Sequence, residues 1–168
     1  MDGIIFESIT HGQLNSRQVL ETIKEFLEEK PYDDYSLVIG TDSHELNGSS
    51  LSNRKINLVT AILVHRRGFG GKYFWTRKNV GNIRSLREKI YAETLLSLDF
   101  AYNFVPELKK TLNGNSPNYN LEIHIDVGEH GDSRDMIKEV VGMVTGNGFV
   151  AKTKPYAYGA SYVADKHT

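Results

Sequence analysis

Three strand-like segments follow one another between residues 36 and 80, and they restrict the possible fold more than any other feature. The first, SLVIGTD (36–42), alternates between two faces and ends in an acid. Two longer β-rich stretches, KINLVTAILVHRR (55–67) and GKYFWTRKNV (71–80), are separated by a glycine-rich turn. Because strands this close in sequence usually pair with each other, we predict a three-stranded antiparallel meander.

Helical and strand patterns alternate in the rest of the chain. An amphipathic helix is predicted over residues 16–30, where Pro31 stops it. Ser85 and Glu88 have the spacing of a capping box, which predicts the start of a long helix that ends near Leu112. The later predicted elements are a loop over 113–118, a strand over 121–128, a helix over 133–145, a strand over 149–154 and a short helix over 157–168.

This order of elements predicts an α/β fold with a mixed five-stranded sheet. The sheet would combine the three-stranded antiparallel meander with two parallel strands, and helices would cover both of its faces. With 168 residues and 39% apolar content, the chain is expected to form one domain over residues 1–168. Residues 1–35 are expected to be an extra N-terminal helical extension of that domain.

Composition argues against several classes of protein. The chain has no cysteine, so disulfides and thiolate metal sites are excluded. No apolar stretch approaches the ~18 residues that a membrane span needs, and the acidic N-terminus does not resemble a signal peptide. We therefore expect a cytoplasmic protein that does not interact with membranes. A formal net charge of -1 also gives the whole molecule no broad basic field for nucleic acid.

The charge is nevertheless uneven along the chain. Between Arg66 and Lys89, basic residues greatly outnumber the single acid, Glu88. A solvated hairpin explains such a run, but a basic hairpin in an otherwise acidic domain is also suited to hold a phosphate backbone. The candidate nucleic-acid contacts in this region are Arg77, Lys78 and Arg84.

Four carboxylates form the main candidate site. Asp42 and Asp126 each lie near the end of an apolar strand, and they can converge if those strands are parallel neighbours. Glu93 falls on an apolar stripe of the long helix, where an ionised side chain must be paired, protonated or bound to a cation. The helix is apolar around much of its circumference, so its buried face stays open. Asp165 could join the group from the terminal helix.

These acids have simpler interpretations as well as a chemical one. Asp42 could end a strand in a turn, could be a satisfied half-buried polar group, or could bind a metal. Several carboxylates in one place repel each other unless a proton or a cation is bound, and oxygen-rich sites suit Mg²⁺ or Mn²⁺. His130 and His167 are near the candidate site in sequence and could act as a proton shuttle, although both are loop or terminal residues.

The motifs IGTDSH, LREKIYAETLLSLDFAY, HIDVG and KPYAYGASYVADKHT resemble, in this order, the YkuK-type family of ribonuclease H-like proteins. The resemblance covers the chain from about residue 36 to its end, together with the preceding helix. It implies a ribonuclease H-like fold and a two-metal nuclease site. The acids that it implies as catalytic residues and metal ligands are Asp42, Glu93, Asp126 and Asp165, with Mg²⁺ or Mn²⁺ as the cofactor.

The leading hypothesis is therefore a metal-dependent nuclease acting on RNA, DNA or a hybrid of the two, with nucleic acid as the expected partner. One alternative is a non-catalytic module that keeps the fold and binds nucleic acid or protein. A third hypothesis is a metal-dependent phosphohydrolase that acts on a small nucleotide.

Overall fold

The computed structural model describes residues 3–45, 56–81, 83–114, 117–129 and 133–167. Strands and helices alternate along most of the chain, as the hydrophobic pattern predicts. The elements are β1 (Ile5–Ser8), β2 (Gly12–Asn15), α1 (Ser16–Glu28), β3 (Tyr35–Glu45), β4 (Ile56–Arg66), β5 (Gly70–Val80), α2 (Leu86–Leu112), β6 (Tyr119–His124), a 3₁₀ turn (Arg134–Met136), α3 (Ile137–Gly146), β7 (Val150–Lys152) and α4 (Tyr158–His167).

The strands form one mixed sheet in the order β2-β1-β5-β4-β3-β6-β7. Strands β3, β4 and β5 pair antiparallel in sequence order, which confirms the predicted meander. Strand β6 runs parallel to β3, and β7 runs parallel to β6. The prediction of five strands is wrong, because the sheet has seven strands within the described part of the chain.

The two additional strands come from the N-terminal region, so the prediction of a helical extension over residues 1–35 is also wrong. Strands β1 and β2 form an antiparallel hairpin, and Glu7 of β1 lies opposite Trp75 of β5 at the edge of the meander. The hairpin is anchored by Phe6, which is fully buried and meets the ring of Phe100 edge-on at 5.8 Å. Burial of one aromatic side chain fixes strands that are too short to show a clear alternating pattern.

Helices cover both faces of the sheet, as predicted. The main core joins α1, α2 and α3 to one face, with Ile39, Ile62 and Phe104 among its fully buried side chains. Helix α4 covers the opposite face, where Val163 packs against a smaller cluster that includes Trp75. Among the described residues, no helix is both long enough and apolar enough to cross a membrane.

The long helix α2 is continuous and includes Pro106 within its span. At its start, the Ser85 hydroxyl accepts a hydrogen bond from the backbone N–H of Glu88 at 3.1 Å, as the capping box predicts. In a full capping box, the Glu88 carboxylate would accept a hydrogen bond from the backbone N–H of Ser85. Here it accepts one from the backbone N–H of Arg84, at 2.6 Å. The helix ends at Leu112, before Asn113 in the left-handed conformation (φ 50°).

Candidate functional site

Asp42 lies within β3 and is 8% exposed, so the strand continues past this acid and does not end there. Its Oδ1 accepts a hydrogen bond from the backbone N–H of Ser43 at 2.8 Å. On either side of it, the hydroxyls of Thr41 and Ser43 bond to residues of α2. Because side chains alternate along a strand, Asp42 points to the opposite face of the sheet, which α4 covers.

Asp126 follows β6 and lies beside Asp42 in the register of the sheet. The parallel ladder pairs Gly40 of β3 with His124 of β6. Asp42 and Asp126 are each two residues further along, so they occupy matching positions where this register continues. The predicted parallel arrangement of these two chain segments is therefore confirmed. The Asp126 carboxylate forms an ion pair with Lys154, with Nζ and Oδ1 2.8 Å apart.

Glu93 reaches the same end of β3 from helix α2. It is only 4% exposed, and its Oε1 accepts a hydrogen bond from the Ser43 hydroxyl at 2.6 Å. The ammonium group of Lys89, one turn earlier on the helix, lies 3.8 Å from the same oxygen. The stripe on which the sequence places Glu93 is thus the face of α2 that packs against the sheet.

Burial raises the pKa of the Glu93 carboxyl to about 7. The hydrogen bond from Ser43 and the charge of Lys89 lower this pKa, whereas the negative charges of Asp42 and Asp126 raise it. Both acids act on Glu93, so carboxylates from three separate elements lie near one another at this end of the sheet. Glu93 therefore gains or loses a proton near neutral pH.

The fourth predicted acid, Asp165, belongs to α4, and His167 is the last residue of that helix. The side chains of both residues lie outside the part that the structure describes, as does the whole of His130. The roles suggested for them, a carboxylate ligand and a proton shuttle, stay predictions.

The donor types at this site suit a hard divalent cation, since carboxylate oxygens are the preferred ligands of Mg²⁺ and Mn²⁺. Their arrangement is less suitable. Within the ranges that the structure describes, no three histidine, aspartate or glutamate side chains are grouped so that they could hold a metal ion. Asp42 and Glu93 reach this end of β3 from opposite faces of the sheet. Lys89 and Ser43 interact with Glu93, and Lys154 pairs with Asp126. In this arrangement, the described acids do not form a preorganised metal-binding site.

The three basic residues predicted to contact nucleic acid lie on β5 and just before α2. Arg77 and Lys78 are consecutive in β5 and therefore point to opposite faces of the sheet. Arg77 is also paired with Glu7 of β1. Arg84 is exposed and precedes helix α2. Arg77 and Lys78 nevertheless both line one cavity, and the roles suggested for these three residues stay predictions.

Sequence reasoning missed a buried polar pair beside the candidate site. His124 is 1% exposed, and its Nδ1 accepts a hydrogen bond from the backbone N–H of Gly159 at 3.0 Å. In the neutral ring, Nε2 then carries the proton and donates to Glu122 at 3.1 Å. Burial lowers the pKa of His124, while the Glu122 carboxylate opposes this change. The alternation of Glu122 and His124 along one strand face was the available signal.

Comparison with known proteins assigns the family. A profile of the ribonuclease H-like family matches residues 18–168. The chain belongs to the ribonuclease H-like family. It is also 31% identical over 175 residues to the uncharacterised protein YkuK of Bacillus subtilis (strain 168), and the match covers 99% of this chain and 98% of YkuK. No solved structure gives a significant match.

Membership in the family confirms the resemblance seen in the sequence motifs. The α/β architecture with a mixed sheet is consistent with a ribonuclease H-like fold. Within this family member, Asp42, Glu93 and Asp126 lie on β3, α2 and the segment after β6, as the order of sequence motifs implies.

Proposed function

We propose that this ribonuclease H-like protein is a divalent-metal-dependent nuclease that hydrolyses phosphodiester bonds of RNA, DNA or a hybrid. The observation that carries the proposal is the placement of three acids at one end of the sheet: buried Glu93 accepts a hydrogen bond from Ser43, the neighbour of Asp42, and Asp126 extends the strand that pairs with β3. A buried glutamate beside two further acids is costly for stability alone. Strongly perturbed carboxyl groups of this kind concentrate at functional sites.

The acids that would hold the metal are Asp42, Glu93 and Asp126, with Asp165 as a further ligand. Mg²⁺ or Mn²⁺, when bound, would supply a nucleophilic water and stabilise negative charge on the phosphate. The protein's own part is to keep these acids close despite their repulsion. Lys89 and Lys154 neutralise part of that charge, and Lys154 would have to release Asp126 for a cation to bind there.

Metal titration and a cleavage assay test the proposal together. Calorimetry with Mg²⁺ and Mn²⁺ should detect binding to the wild type, and labelled RNA, DNA and hybrid duplexes should be cut only when the ion is present. Asp42→Asn and Asp126→Asn should each reduce cleavage by about 100-fold or more, because each removes one charge from the metal-binding group. Asp135→Asn, a change to an exposed acid in the 3₁₀ turn, is the matched control and should leave cleavage unchanged.

Absence of divalent binding by the wild type, or unchanged cleavage in both aspartate variants, would overturn the nuclease proposal. Including a nucleoside monophosphate as a substrate in the same assay separates a nuclease from a phosphohydrolase of small nucleotides. Turnover of the small substrate without cleavage of any polymer would favour the phosphohydrolase.

A second candidate is a non-catalytic module that binds nucleic acid or protein. The observation in its favour is that the acids already have partners without a metal, through Lys154 on Asp126 and Ser43 on Glu93. For nucleic acid, this hypothesis predicts binding that Lys78→Glu and Arg84→Glu weaken and that Asp126→Asn does not. The nuclease proposal predicts that Asp126→Asn has the larger effect, measured as product formed.

A further inference from the structure

A cavity of about 530 Å³ lies at the opposite end of β3 from the carboxylates. Its volume falls within the range of small-molecule sites, which is about 300–1,000 Å³. Ser36, in its lining, is six positions before Asp42 on β3, or about 20 Å at the usual rise of a strand. Lys152, also in the lining, is nearer to the acids, because its ladder partner His124 is two residues before Asp126. None of Asp42, Glu93 and Asp126 lines the cavity, so it is distinct from the candidate metal site. The charged or aromatic lining side chains used below are Asp34, Arg67, Glu122, Lys152, Tyr156 and Tyr158.

Two cations in this lining, Arg67 and Lys152, form no ion pair and no side-chain hydrogen bond with any residue in the described ranges. Arg67 follows β4, while Lys152 lies in β7 beside His124 in the parallel ladder. Elsewhere in the fold, Arg66 and Arg77 are each paired with an acid. Free cations that line a cavity are suited to an anionic group such as phosphate.

The acceptor in the cavity is Glu122, whose side chain is 24% exposed. Its Oε2 is held by the Nε2 of His124, which is itself fixed by the Gly159 backbone, as described above. An ionised carboxylate can only accept hydrogen bonds, so a ligand beside Glu122 has to bring an N–H or O–H donor. The buried histidine fixes the direction of this acceptor before any ligand binds.

Two tyrosines complete the lining on the side of helix α4. Tyr156 is 71% exposed and Tyr158 is 53% exposed, which is unusual for large rings beside a cavity of this size. The Tyr158 ring packs edge-on against His124, with centroids 5.2 Å apart, so its position is set by a buried group. Exposed aromatic faces next to cations are typical of surfaces on which nucleobases stack.

We propose that this cavity binds one nucleotide, with its base stacked on Tyr156 or Tyr158 and its phosphate held by Arg67 and Lys152. The N–H donors on the edge of the base would bond to Glu122. A simple anion would satisfy the cations but would meet the negative charges of Glu122 and Asp34, and an apolar ligand would leave all four charges unpaired. A nucleotide supplies the anion, the planar ring and the donor edge in one molecule.

The nucleotide could be a free monophosphate or one unit of a longer strand, since the chemistry is the same. This inference does not depend on cleavage at the carboxylates, because none of Asp42, Glu93 and Asp126 lines the cavity. A binding measurement without divalent ions therefore tests it whether or not the nuclease proposal holds.

Isothermal titration calorimetry on the full chain, in buffer without divalent ions, provides the test. The probes are GMP, guanosine, ribose 5-phosphate and a pentanucleotide of RNA. GMP should bind more tightly than either of its parts, because only GMP contains both the ring and the phosphate. Tyr156→Ala and Lys152→Gln should each weaken GMP binding by about tenfold or more.

Two exposed residues elsewhere supply matched controls. Tyr102→Ala removes an equally exposed ring from α2, where Tyr102 is 67% exposed, and Lys109→Gln removes a charge from the last turn of the same helix. Both should leave GMP binding unchanged. Glu122→Gln keeps an acceptor for His124 and replaces the acceptor facing the cavity with an amide, so it should weaken GMP much more than ribose 5-phosphate.

Tight binding of GMP that depends on these residues identifies a free nucleotide as the ligand. If only the pentanucleotide binds, with the same dependence on Tyr156 and Lys152, the ligand is a unit of a strand. The proposal is overturned if no probe binds, or if binding is equally strong in Tyr156→Ala, Lys152→Gln and the wild type.

Discussion

The two ends of strand β3 carry opposite chemistry. At one end, Asp42 and Glu93 are buried and every described acid has a compensating neighbour. At the other end, Arg67 and Lys152 have no ion-pair partner among the described residues, and exposed tyrosines line a cavity. The first end brings together acids that are largely buried, whereas the second has exposed groups that could bind a ligand.

The two ends of β3 are also stabilised in different ways. The acids stay close only because the packed helix α2 holds Glu93 in place, at a cost to stability. The cavity needs no such support, since its charged groups remain in contact with water. We expect substitutions at the acidic end to change stability and its pH dependence, and those at the cavity to change binding. Three substitutions test this contrast, in order of decreasing expected effect.

Glu93→Gln should produce the largest change in stability. A pKa that rises from 4.5 in the unfolded chain to about 7 in the fold stabilises the protonated protein, and this contribution is fully present below pH 4.5. It is lost as the pH rises through about 7 and amounts to about 3 kcal/mol. The glutamine variant should lack this loss. Urea unfolding at pH 5 and pH 8 should therefore show a smaller pH dependence than in the wild type.

The control for this prediction is Glu107→Gln, an exposed acid on the same helix that pairs with Lys110. It should retain the pH dependence of the wild type, because its charge is solvated in the folded and unfolded chains. An identical fall in stability between pH 5 and pH 8 in Glu93→Gln and the wild type would contradict a buried, titrating Glu93.

Gly159→Ala should have the next largest effect, at the cavity end. A Cβ at this position would lie 2.6 Å from Cγ1 of Val38 and 3.2 Å from Nδ1 of His124, so the Val38 side chain or helix α4 must shift. Overpacking of this kind costs about 1–3 kcal/mol. The free energy of unfolding from urea titration measures the loss, and weaker nucleotide binding should accompany it if the cavity is a site.

Gly142→Ala in helix α3 is the matched control, because an added Cβ there meets nothing within 4 Å. It should stabilise the protein by up to about 1 kcal/mol, since alanine favours a helix more than glycine does. If both alanine variants behaved alike, the close approach of α4 to β3 would not govern stability.

Lys154→Gln should have the smallest effect on stability. The ion pair with Asp126 is partly exposed, with the lysine side chain 54% and the aspartate side chain 21% accessible, so its loss should cost about 1 kcal/mol or less. The same change should raise the affinity for Mg²⁺ or Mn²⁺ several-fold by removing a competing cation from the carboxylate. Thermal unfolding and calorimetric titration measure the two effects separately.

Lys109→Gln again serves as a control, since this lysine lies at the far end of α2. A loss of metal affinity in Lys154→Gln would indicate that the lysine assists the bound ion and does not compete with it. That result would assign Lys154 to the metal-binding group, and the acidic end would still differ from the cavity in its burial.

Much of the fold follows from local patterns in the sequence. The meander could be predicted because β4 and β5 are long, rich in strand-forming residues and joined by a short turn. Helix α2 could be predicted from its Ser85 cap and its length. The hairpin of β1 and β2 was missed because four-residue strands show too few alternations to be recognised. Its place in the sheet depends on Phe6 burying its ring against α2, a contact between distant parts of the chain.

At the candidate site, too, the sequence predicted the residue types but not their contacts. The sequence alone identified Asp42, Glu93 and Asp126, because an acid in an apolar strand or stripe is costly and stands out locally. It could not show that Ser43 donates a hydrogen bond to Glu93, or that Lys154 pairs with Asp126. Nor could it show that Arg77 pairs with Glu7 of the N-terminal hairpin. Residue type and spacing are local properties, whereas the partner of each charge depends on which distant segments the sheet brings together.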